Sequence, residues 1–183
     1  INVIVTSVNV ARAAERVING RHVLTAVDKR PVPGPVEVRP LGLMGDEQAD
    51  LSVHGGLSKA VYAYAADDYA FWQRVRAQAR VSPWDEALAP GSMGENITIE
   101  GLDETRLWIG DRLVLPGCTL AVSEPRMPCF KFNAVMGFAQ AGKLMAQSGY
   151  CGAYLLVIEP GSVQAGDAAR LSEMFQRDLD KEW

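Results

Sequence analysis

The segment with the clearest chemical potential runs from residue 123 to residue 132 and reads Ser-Glu-Pro-Arg-Met-Pro-Cys-Phe-Lys-Phe. Its two prolines cannot donate backbone hydrogen bonds to a sheet, so we expect a connection at a sheet rim, where functional sites are often built. In an extended chain Cys129 and Lys131 point the same way, with Arg126 close by. Two nearby cations stabilise a thiolate, the form that attacks electrophiles and binds soft metals. Cys129 is therefore a candidate nucleophile or metal ligand, the alternative being a cysteine that only packs in the core.

The other two cysteines lack such surroundings. Cys118 and Cys151 have no cation within three positions, and we expect both of them to pack in the interior. Three cysteines are an odd number, and a chain with a sufficient core needs no disulfide framework. The sequence has no Cys-x-x-Cys, and its two histidines, His22 and His54, are far apart, so a zinc site has no support.

A glycine-rich segment, Pro-Gly-Ser-Met-Gly-Glu-Asn at residues 90–96, precedes a predicted strand. Glycines let successive backbone amides point at one anion, so the segment could bind a phosphate or an oxyanion. Glu95 and Asn96 add polar groups that would need partners if they were buried. The segment is not a P-loop, because the lysine is missing and a strand follows instead of a helix. An ordinary turn before a strand is the simpler interpretation.

A third polar region lies between residues 45 and 59. His54, followed by Gly55 and Gly56, could bind an anionic ligand together with the ammonium group of Lys59. The alternative for His54 is an ordinary surface residue. Two acids in the same region, Asp46 and Asp50, could act together as metal ligands or could cap turns.

The elements that must position these residues are mostly strands. Short β-branched or aromatic runs bounded by Gly, Pro or Asp predict eight of them: 2–8, 22–27, 36–39, 59–64, 96–99, 111–115, 119–124 and 153–159. Three helices are predicted: from Asp67 or Asp68 to about Arg80, from Asn133 to the stop at Gly149, and over 168–181. Because the strand runs mostly follow one another directly, the predicted fold is mainly β with peripheral helices (α+β), a β-barrel or rolled sheet.

Composition excludes several classes of protein. The chain has 183 residues, with 18 basic and 22 acidic side chains and a net charge of −4, and its basic residues are not clustered. We therefore expect one domain over residues 1–183 and no nucleic-acid partner. The longest apolar runs are about a third of the ~20 residues that a membrane span requires, and no secretion signal is evident. The expected location is the cytoplasm.

Taken together, four motifs in this order resemble the MOSC domain family, named after the C-terminal domain of molybdenum-cofactor sulfurase. They are His-Gly-Gly-x-x-Lys (54–59), Gly-Ser-Met-Gly-Glu-Asn (91–96), Ile-Gly-Asp-Arg (109–112) and Pro-Arg-Met-Pro-Cys-Phe-Lys (125–131). Two further runs, 40–50 and 60–64, resemble the YiiM-like branch of the family. The likeness covers about residues 1–167.

This resemblance implies a MOSC-type β-barrel with a molybdenum cofactor of the molybdopterin type in a cleft. It implies that Cys129 is the catalytic residue and the metal ligand, a soft thiolate of the kind that a molybdenum–dithiolene centre binds. Three cations would offset the charge of the cofactor: Lys59, Arg126 and Lys131. The pterin phosphate would be held by two groups of residues: His54, Gly55 and Gly56, and Gly91, Gly94, Glu95 and Asn96.

The family resemblance also implies an activity. YiiM-like and related amidoxime-reducing proteins reduce N-hydroxylated compounds, with electrons from a separate redox protein. The alternatives are a carrier of sulfur, as a persulfide on Cys129, or of the cofactor, and a protein whose cleft has lost its function. Pyridoxal phosphate is not expected, because it belongs to the separate desulfurase domain of fused family members, for which this chain is too short.

Overall fold

The computed structural model describes residues 2–50, 52 and 55–173. The described residues form thirteen strands: β1 (Asn2–Val10), β2 (Ala14–Ile18), β3 (Arg21–Thr25), β4 (Arg30–Pro31), β5 (Val36–Arg39), β6 (Gly42–Leu43), β7 (Val61–Ala65), β8 (Ile97–Glu100), β9 (Arg112–Val114), β10 (Thr119–Pro125), β11 (Ala153–Glu159), β12 (Gly161–Val163) and β13 (Ala168–Ser172). They also form three α-helices: α1 (Tyr69–Gln78), α2 (Phe130–Met136) and α3 (Ala141–Ser148). Short 3-10 turns occupy Leu57–Lys59, Ala66–Asp68 and Glu104–Arg106.

Seven strands close into a barrel in the order β1, β13, β9, β10, β11, β7, β8 and back to β1. The closing pair, β1 and β13, is antiparallel, with Asn2 opposite Arg170 and Ile4 opposite Ala168. Only β7 and β8 run parallel within the barrel of the described chain. A parallel pair needs a long crossover connection, and the chain between β7 and β8 contains helix α1. The predicted fold class, mainly β with peripheral helices in a barrel, is confirmed.

Strand β7 explains how the barrel and the helices share one wall. Val61, Ala63 and Ala65 point into the barrel and join its aliphatic core. Tyr62 and Tyr64 alternate with them and belong to a second buried cluster under the helices. Because successive side chains of a strand point to opposite faces, a strand covered on both sides must be apolar throughout.

The helices pack on this outer face through aromatic and methionine side chains. Trp72 of α1 is fully buried, and its indole N–H donates to the Tyr64 hydroxyl over 2.6 Å. Its ring meets that of Phe132 edge to face, with centroids 5.1 Å apart. Met136 and Met145 complete the cluster from α2 and α3. This packing fixes α2, whose N-terminal residue Phe130 follows Cys129.

The eight predicted strands all exist, and their observed ends lie within two residues of the predicted ones. Two of them, Val36–Arg39 and Ala153–Glu159, have the predicted bounds. Five strands were missed: β2, β4, β6, β12 and β13. Helix α1 begins at Tyr69 after a 3-10 turn, and the Asp68 side chain makes no capping hydrogen bond.

The predicted helix from Asn133 to Gly149 is wrong as a single helix. The chain breaks at Gly137, whose φ of 85° is left-handed, and a second helix, α3, begins at Ala141. Asn133 lies inside α2, and its side-chain oxygen accepts the Gly142 N–H at 2.7 Å in the first turn of α3. The residue therefore caps a helix, but not its own. The predicted stop at Gly149, with φ of 78°, is confirmed.

The predicted C-terminal helix from about residue 168 is wrong in its first part. Ala168–Ser172 forms β13, which pairs with β1 on one side and β9 on the other and so closes the barrel. Two rows of ladder hydrogen bonds override the helical preference of Ala, Arg and Leu. Residues 174–181 of that prediction lie outside the described residues. Within 2–50, 52 and 55–173, no helix is long and apolar enough to cross a membrane.

Candidate functional site

The site is a cleft at the rim of the barrel, about 660 Å³ in volume with its open mouth included. Chain segments far apart in the sequence form its walls: 25–29, 46–50, 59–62, 94–96, 126–131 and Tyr154. Six of the predicted site residues line the cleft: Lys59, Gly94, Asn96, Arg126, Cys129 and Lys131.

Cys129 lies where the connection after β10 enters helix α2. Its thiol is outside any disulfide and of intermediate exposure, and its backbone is extended, with φ of −122° and ψ of 173°. The chain then turns into the helix at Phe130, so the expectation that it stays extended to Lys131 is wrong. Lys131 nevertheless lines the same cleft from the first turn of α2. The structure thus brings a reachable thiol and a lysine to one wall.

Arg126 is a buried cation in this wall, with 6% of its surface exposed. Its guanidinium stacks on two aromatic rings, 4.7 Å from the centroid of Tyr62 and 5.4 Å from that of Phe132. The guanidinium Nη1 donates to the main-chain oxygen of Met93. Stacking on aromatic faces suits a weakly hydrated planar cation and holds its plane in one orientation.

Tyr154 was missed by the sequence analysis, although it lines the cleft from β11. Burial raises the pKa of its phenol, while Arg126 lowers the pKa and Cys129 raises it. These opposing effects show that the phenol, the cation and the thiol lie within electrostatic reach of one another. Lys59 lies 5.6 Å above the Tyr154 ring and pairs with Glu124 at 3.3 Å. Tyr154 therefore links the cationic residues of two walls.

The opposite part of the cleft contains a buried ion pair that sequence reasoning also missed. The Lys29 ammonium lies 2.6 Å from Oδ1 of Asp46, and the two side chains are only 9% and 7% exposed. Asp46 also accepts the Ala11 N–H at 2.9 Å and the Asn96 side-chain amide at 2.9 Å. With these partners Asp46 is a structural anion. Its sequence neighbour in this region, Asp50, accepts the Ser52 N–H at 3.0 Å in a turn.

Asn96 touches the cleft, but its side chain is fully engaged with the protein. Its oxygen accepts the Tyr62 N–H at 3.0 Å, and its amide donates to the Asn9 carbonyl and to Asp46. Gly94, with φ of 80°, is the part of the glycine-rich segment that lies open to the cleft. A Cβ there would come within 3.2 Å of the Val27 side chain. The glycine-rich segment thus contributes main-chain atoms of Gly94 to the wall of the cleft.

The remaining predicted site residues do not line the cleft. Gly91 packs against the Lys29 carbonyl, which a Cβ would approach to 2.6 Å. Glu95 is fully buried behind the wall. Gly55 and Gly56 lie beside the cleft, and the Gly56 N–H donates to the side chain of Gln48, which does line it. His54 is outside the described residues.

The other two cysteines pack as expected. Cys118 is buried in the barrel core, and burial raises the pKa of its thiol to about 11. Cys151 packs against the aromatic cluster, and its thiol lies 3.3 Å from the Met145 carbonyl. In the described part of the chain no three His, Cys, Asp or Glu side chains are grouped as a metal site.

Comparisons with known proteins give the family. The model of the MOSC domain matches residues 50–170. The chain is 35% identical over 162 residues to the uncharacterized protein YflK of Bacillus subtilis, covering 88% of this chain and 70% of that protein. It is 35% identical over 144 residues to YiiM of Escherichia coli, covering 77% and 61%. A protein of Gibberella moniliformis named reductase is 34% identical over 155 residues, covering 84% of this chain but 27% of that protein.

Comparison with solved structures also finds YiiM proteins. The crystal structure of YiiM from Geobacillus stearothermophilus superposes with a TM-score of 0.72 at 28% identity, covering 93% of this chain and 75% of the other. YiiM from Escherichia coli gives a TM-score of 0.65 at 26% identity, covering 94% and 69%. The matched family model, the relatives and the closed barrel lead to one conclusion: the chain belongs to the MOSC domain family, in its YiiM-like branch.

Proposed function

We propose that the cleft binds a molybdenum cofactor of the molybdopterin type and that Cys129 is its protein thiolate ligand. The observation that carries the proposal is the position of Cys129: a partly exposed thiol, outside any disulfide, in the wall of a cleft whose lining includes Arg126, Lys59 and Lys131. A soft thiolate beside cations suits a soft metal in an anionic complex. The Cys129 thiolate and the cations that line the cleft therefore fit a molybdenum cofactor.

The residues of the cleft have separable roles in this proposal. Arg126, buried and stacked between two rings, offers a fixed positive charge to the anionic parts of the cofactor. Lys131 adds a second cation from helix α2, and Lys59 adds a third at the mouth. Gly94 lets the cofactor approach the backbone closely, because no side chain intervenes. Tyr154 adds an aromatic ring to the lining.

We further propose that the chain with bound cofactor reduces small N-hydroxylated compounds. When bound, the cofactor supplies two-electron chemistry, by which an N–OH group, two electrons and two protons give N–H and water. The electrons would come from a separate redox protein, as the resemblance to YiiM-like proteins implies. The relative named reductase supports the reaction class. A cytoplasmic location, with neither nucleic acid nor membrane as a partner, belongs to the same proposal.

The test compares two cysteine variants of protein purified from a host that makes the cofactor. Wild-type protein is expected to contain stoichiometric molybdenum and pterin and to reduce N-hydroxylated purine bases when a chemical electron donor is supplied. Cys129→Ala is expected to lose molybdenum at least about tenfold, while the cofactor-free forms of the two proteins should have similar Tm, because a partly exposed side chain contributes little to stability. Cys118→Ala is the control: it should keep its metal and lose about 1 kcal/mol, which is about 2–4 °C in Tm.

Two results would contradict the proposal. One is wild-type protein without molybdenum or pterin, and the other is Cys129→Ala protein with the same metal content as wild type. Intact-mass measurement after exposure to a cysteine desulfurase distinguishes a sulfur carrier from a protein that binds the molybdenum cofactor. One added sulfur atom on wild-type protein that is absent from Cys129→Ala, together with no molybdenum, would assign sulfur transfer instead.

A further inference from the structure

A buried carboxyl group and a buried guanidinium lie on either side of Met93, a buried residue that precedes Gly94 of the cleft wall. On one side, Arg126 Nη1 donates to the main-chain oxygen of Met93. On the other, the Met93 N–H donates to Glu95 Oε1 over 3.1 Å. Met93 and Glu95 are both fully buried. One residue of main chain therefore connects Glu95, which does not reach the cleft, with Arg126, which does.

The groups bonded to Glu95 are hydrogen-bond donors. The Tyr69 hydroxyl donates to Oε2, and the Thr98 hydroxyl donates to the same oxygen over 3.2 Å. The Thr98 oxygen itself accepts the Asn9 side-chain amide at 3.0 Å, which directs the hydroxyl proton toward Glu95. These donors stabilise the carboxylate, whereas burial raises the pKa of Glu95 to about 7. The side chain acts as an acceptor for a main-chain N–H that has a single orientation.

The hydrogen bond to Met93 determines where the Arg126 guanidinium lies. Two aromatic rings hold the plane of the guanidinium, but a plane between rings can still rotate or slide. The Met93 oxygen removes that freedom, because a hydrogen bond to a carbonyl has a preferred direction. The position of Met93 is in turn fixed by Glu95.

We propose that Glu95 is a positioning residue for Arg126: by holding Met93, it fixes the guanidinium at the wall of the cleft, ready to bind an anion. The proposal replaces the direct role in cofactor binding that the sequence indicates for Glu95. It rests on the proposed function only for the identity of the anion, which is the anionic part of the molybdenum cofactor. Glu95 does not touch that group itself.

The experiment follows the Arg126 guanidinium N–H groups by NMR in protein without cofactor, using arginine labelled with ¹⁵N. Glu95→Leu removes the acceptor for Met93, and hydrogen exchange of the Arg126 guanidinium is expected to become about tenfold faster. Glu95→Gln keeps a carbonyl oxygen that can accept the Met93 N–H, so it is expected to restore slow exchange. Thr98→Val is the matched control. It removes one donor to Glu95 and leaves the contact with Met93, so Arg126 exchange should stay at the wild-type rate.

If Glu95→Leu does not fold, Glu95→Asp takes its place. It keeps the charge but draws the carboxylate back from Met93 by one methylene, and the Arg126 exchange rate should rise in the same direction. Unchanged Arg126 exchange in Glu95→Leu, or in Glu95→Asp if that variant is used, would overturn the proposal. So would equal acceleration in Thr98→Val, because the effect would then be a general loosening of the fold.

A second measurement connects the assignment with the proposed function. The pterin content per chain is expected to fall about tenfold in Glu95→Leu and to stay near the wild-type content in Thr98→Val and Glu95→Gln. Wild-type protein that contains no pterin, while Arg126 exchange responds as predicted, would overturn the proposed function and support the role of Glu95. Wild-type protein with normal pterin content, and with Arg126 exchange unchanged in Glu95→Leu, would overturn the role of Glu95 alone.

Discussion

Two acidic side chains, Asp68 and Glu104, form a partly buried pair where the 3-10 turn before α1 meets the turn before β9. Glu104 accepts the Cys151 N–H at 3.1 Å and the Gly152 N–H at 3.0 Å, and it shares a hydrogen bond with Asp68. Burial raises the pKa of Glu104 from 4.5 to about 7 and also raises the pKa of Asp68. Two neighbouring acids, Asp67 and Asp103, raise the pKa of Asp68 further.

The raised pKa of Glu104 predicts how stability depends on pH. A group whose pKa is higher in the folded protein than in the unfolded chain contributes its full stability below the unfolded value. That contribution is lost as the pH rises through the folded value. For a pKa that moves from 4.5 to about 7, the loss is about 3 kcal/mol, which partial exposure of Glu104 reduces to about 2 kcal/mol. Glu104→Gln resembles the protonated acid at every pH, so it should not show this loss.

The assay is urea unfolding of both proteins at a series of pH values. Relative to wild type, the Glu104→Gln variant is expected to gain about 2 kcal/mol in free energy of unfolding between about pH 5 and pH 8, which is about 4–8 °C in Tm. Glu100→Gln, at an exposed strand end, is the control and should give a curve parallel to that of wild type. Parallel curves for wild type and Glu104→Gln would refute the reasoning.

Two further predictions concern a glycine packed against strand β7 and the Lys29–Asp46 ion pair of the cleft. Gly152→Ala places a Cβ 2.5 Å from a carbonyl oxygen of β7 and 2.7 Å from the Tyr62 ring, at a φ of +71°. We expect the free energy of unfolding, measured in urea, to fall by about 3 kcal/mol. Gly149→Ala, at φ +78° with open space around it, should lower the free energy of unfolding by only about 1 kcal/mol. An equal decrease in the Gly152 and Gly149 variants would count against the steric argument. Lys29→Met leaves the buried Asp46 carboxylate without its cation and should lower the free energy of unfolding by about 3 kcal/mol; an unchanged value would show that the ion pair is not buried in solution.

The sequence predicts best where one local signal decides the structure. Val36–Arg39 and Ala153–Glu159 are β-branched or apolar runs with turn residues at their ends, and their bounds were predicted to the residue. Strand β13 was missed because Ala168-Ala-Arg-Leu-Ser has the composition of a helix. Its pairing with two distant strands decides its conformation, and no local pattern contains that information.

The same distinction applies to the candidate site. Arg126, Cys129 and Lys131 lie within six residues of one another, so their shared chemistry could be predicted from the sequence. Lys29 and Tyr154 could not, because barrel closure alone brings them to the cleft from opposite ends of the chain. The role of Glu95 was also beyond the sequence. A motif containing an acid predicts a polar site but does not tell which side of the wall the carboxyl group faces.

The cleft owes its rigidity to polar groups that are already paired within the protein. Asn96 connects strand β7 to the Lys29–Asp46 ion pair, and Arg126 is held between two rings and a main-chain carbonyl. Side chains fixed in this way lose little conformational entropy when a ligand binds, so the ordering cost of binding is low. Cys129 and Lys131, at the entrance of helix α2, are partly exposed, and so are Lys59 and Tyr154 elsewhere in the lining. A ligand in this cleft would therefore meet a wall whose paired polar groups are already ordered.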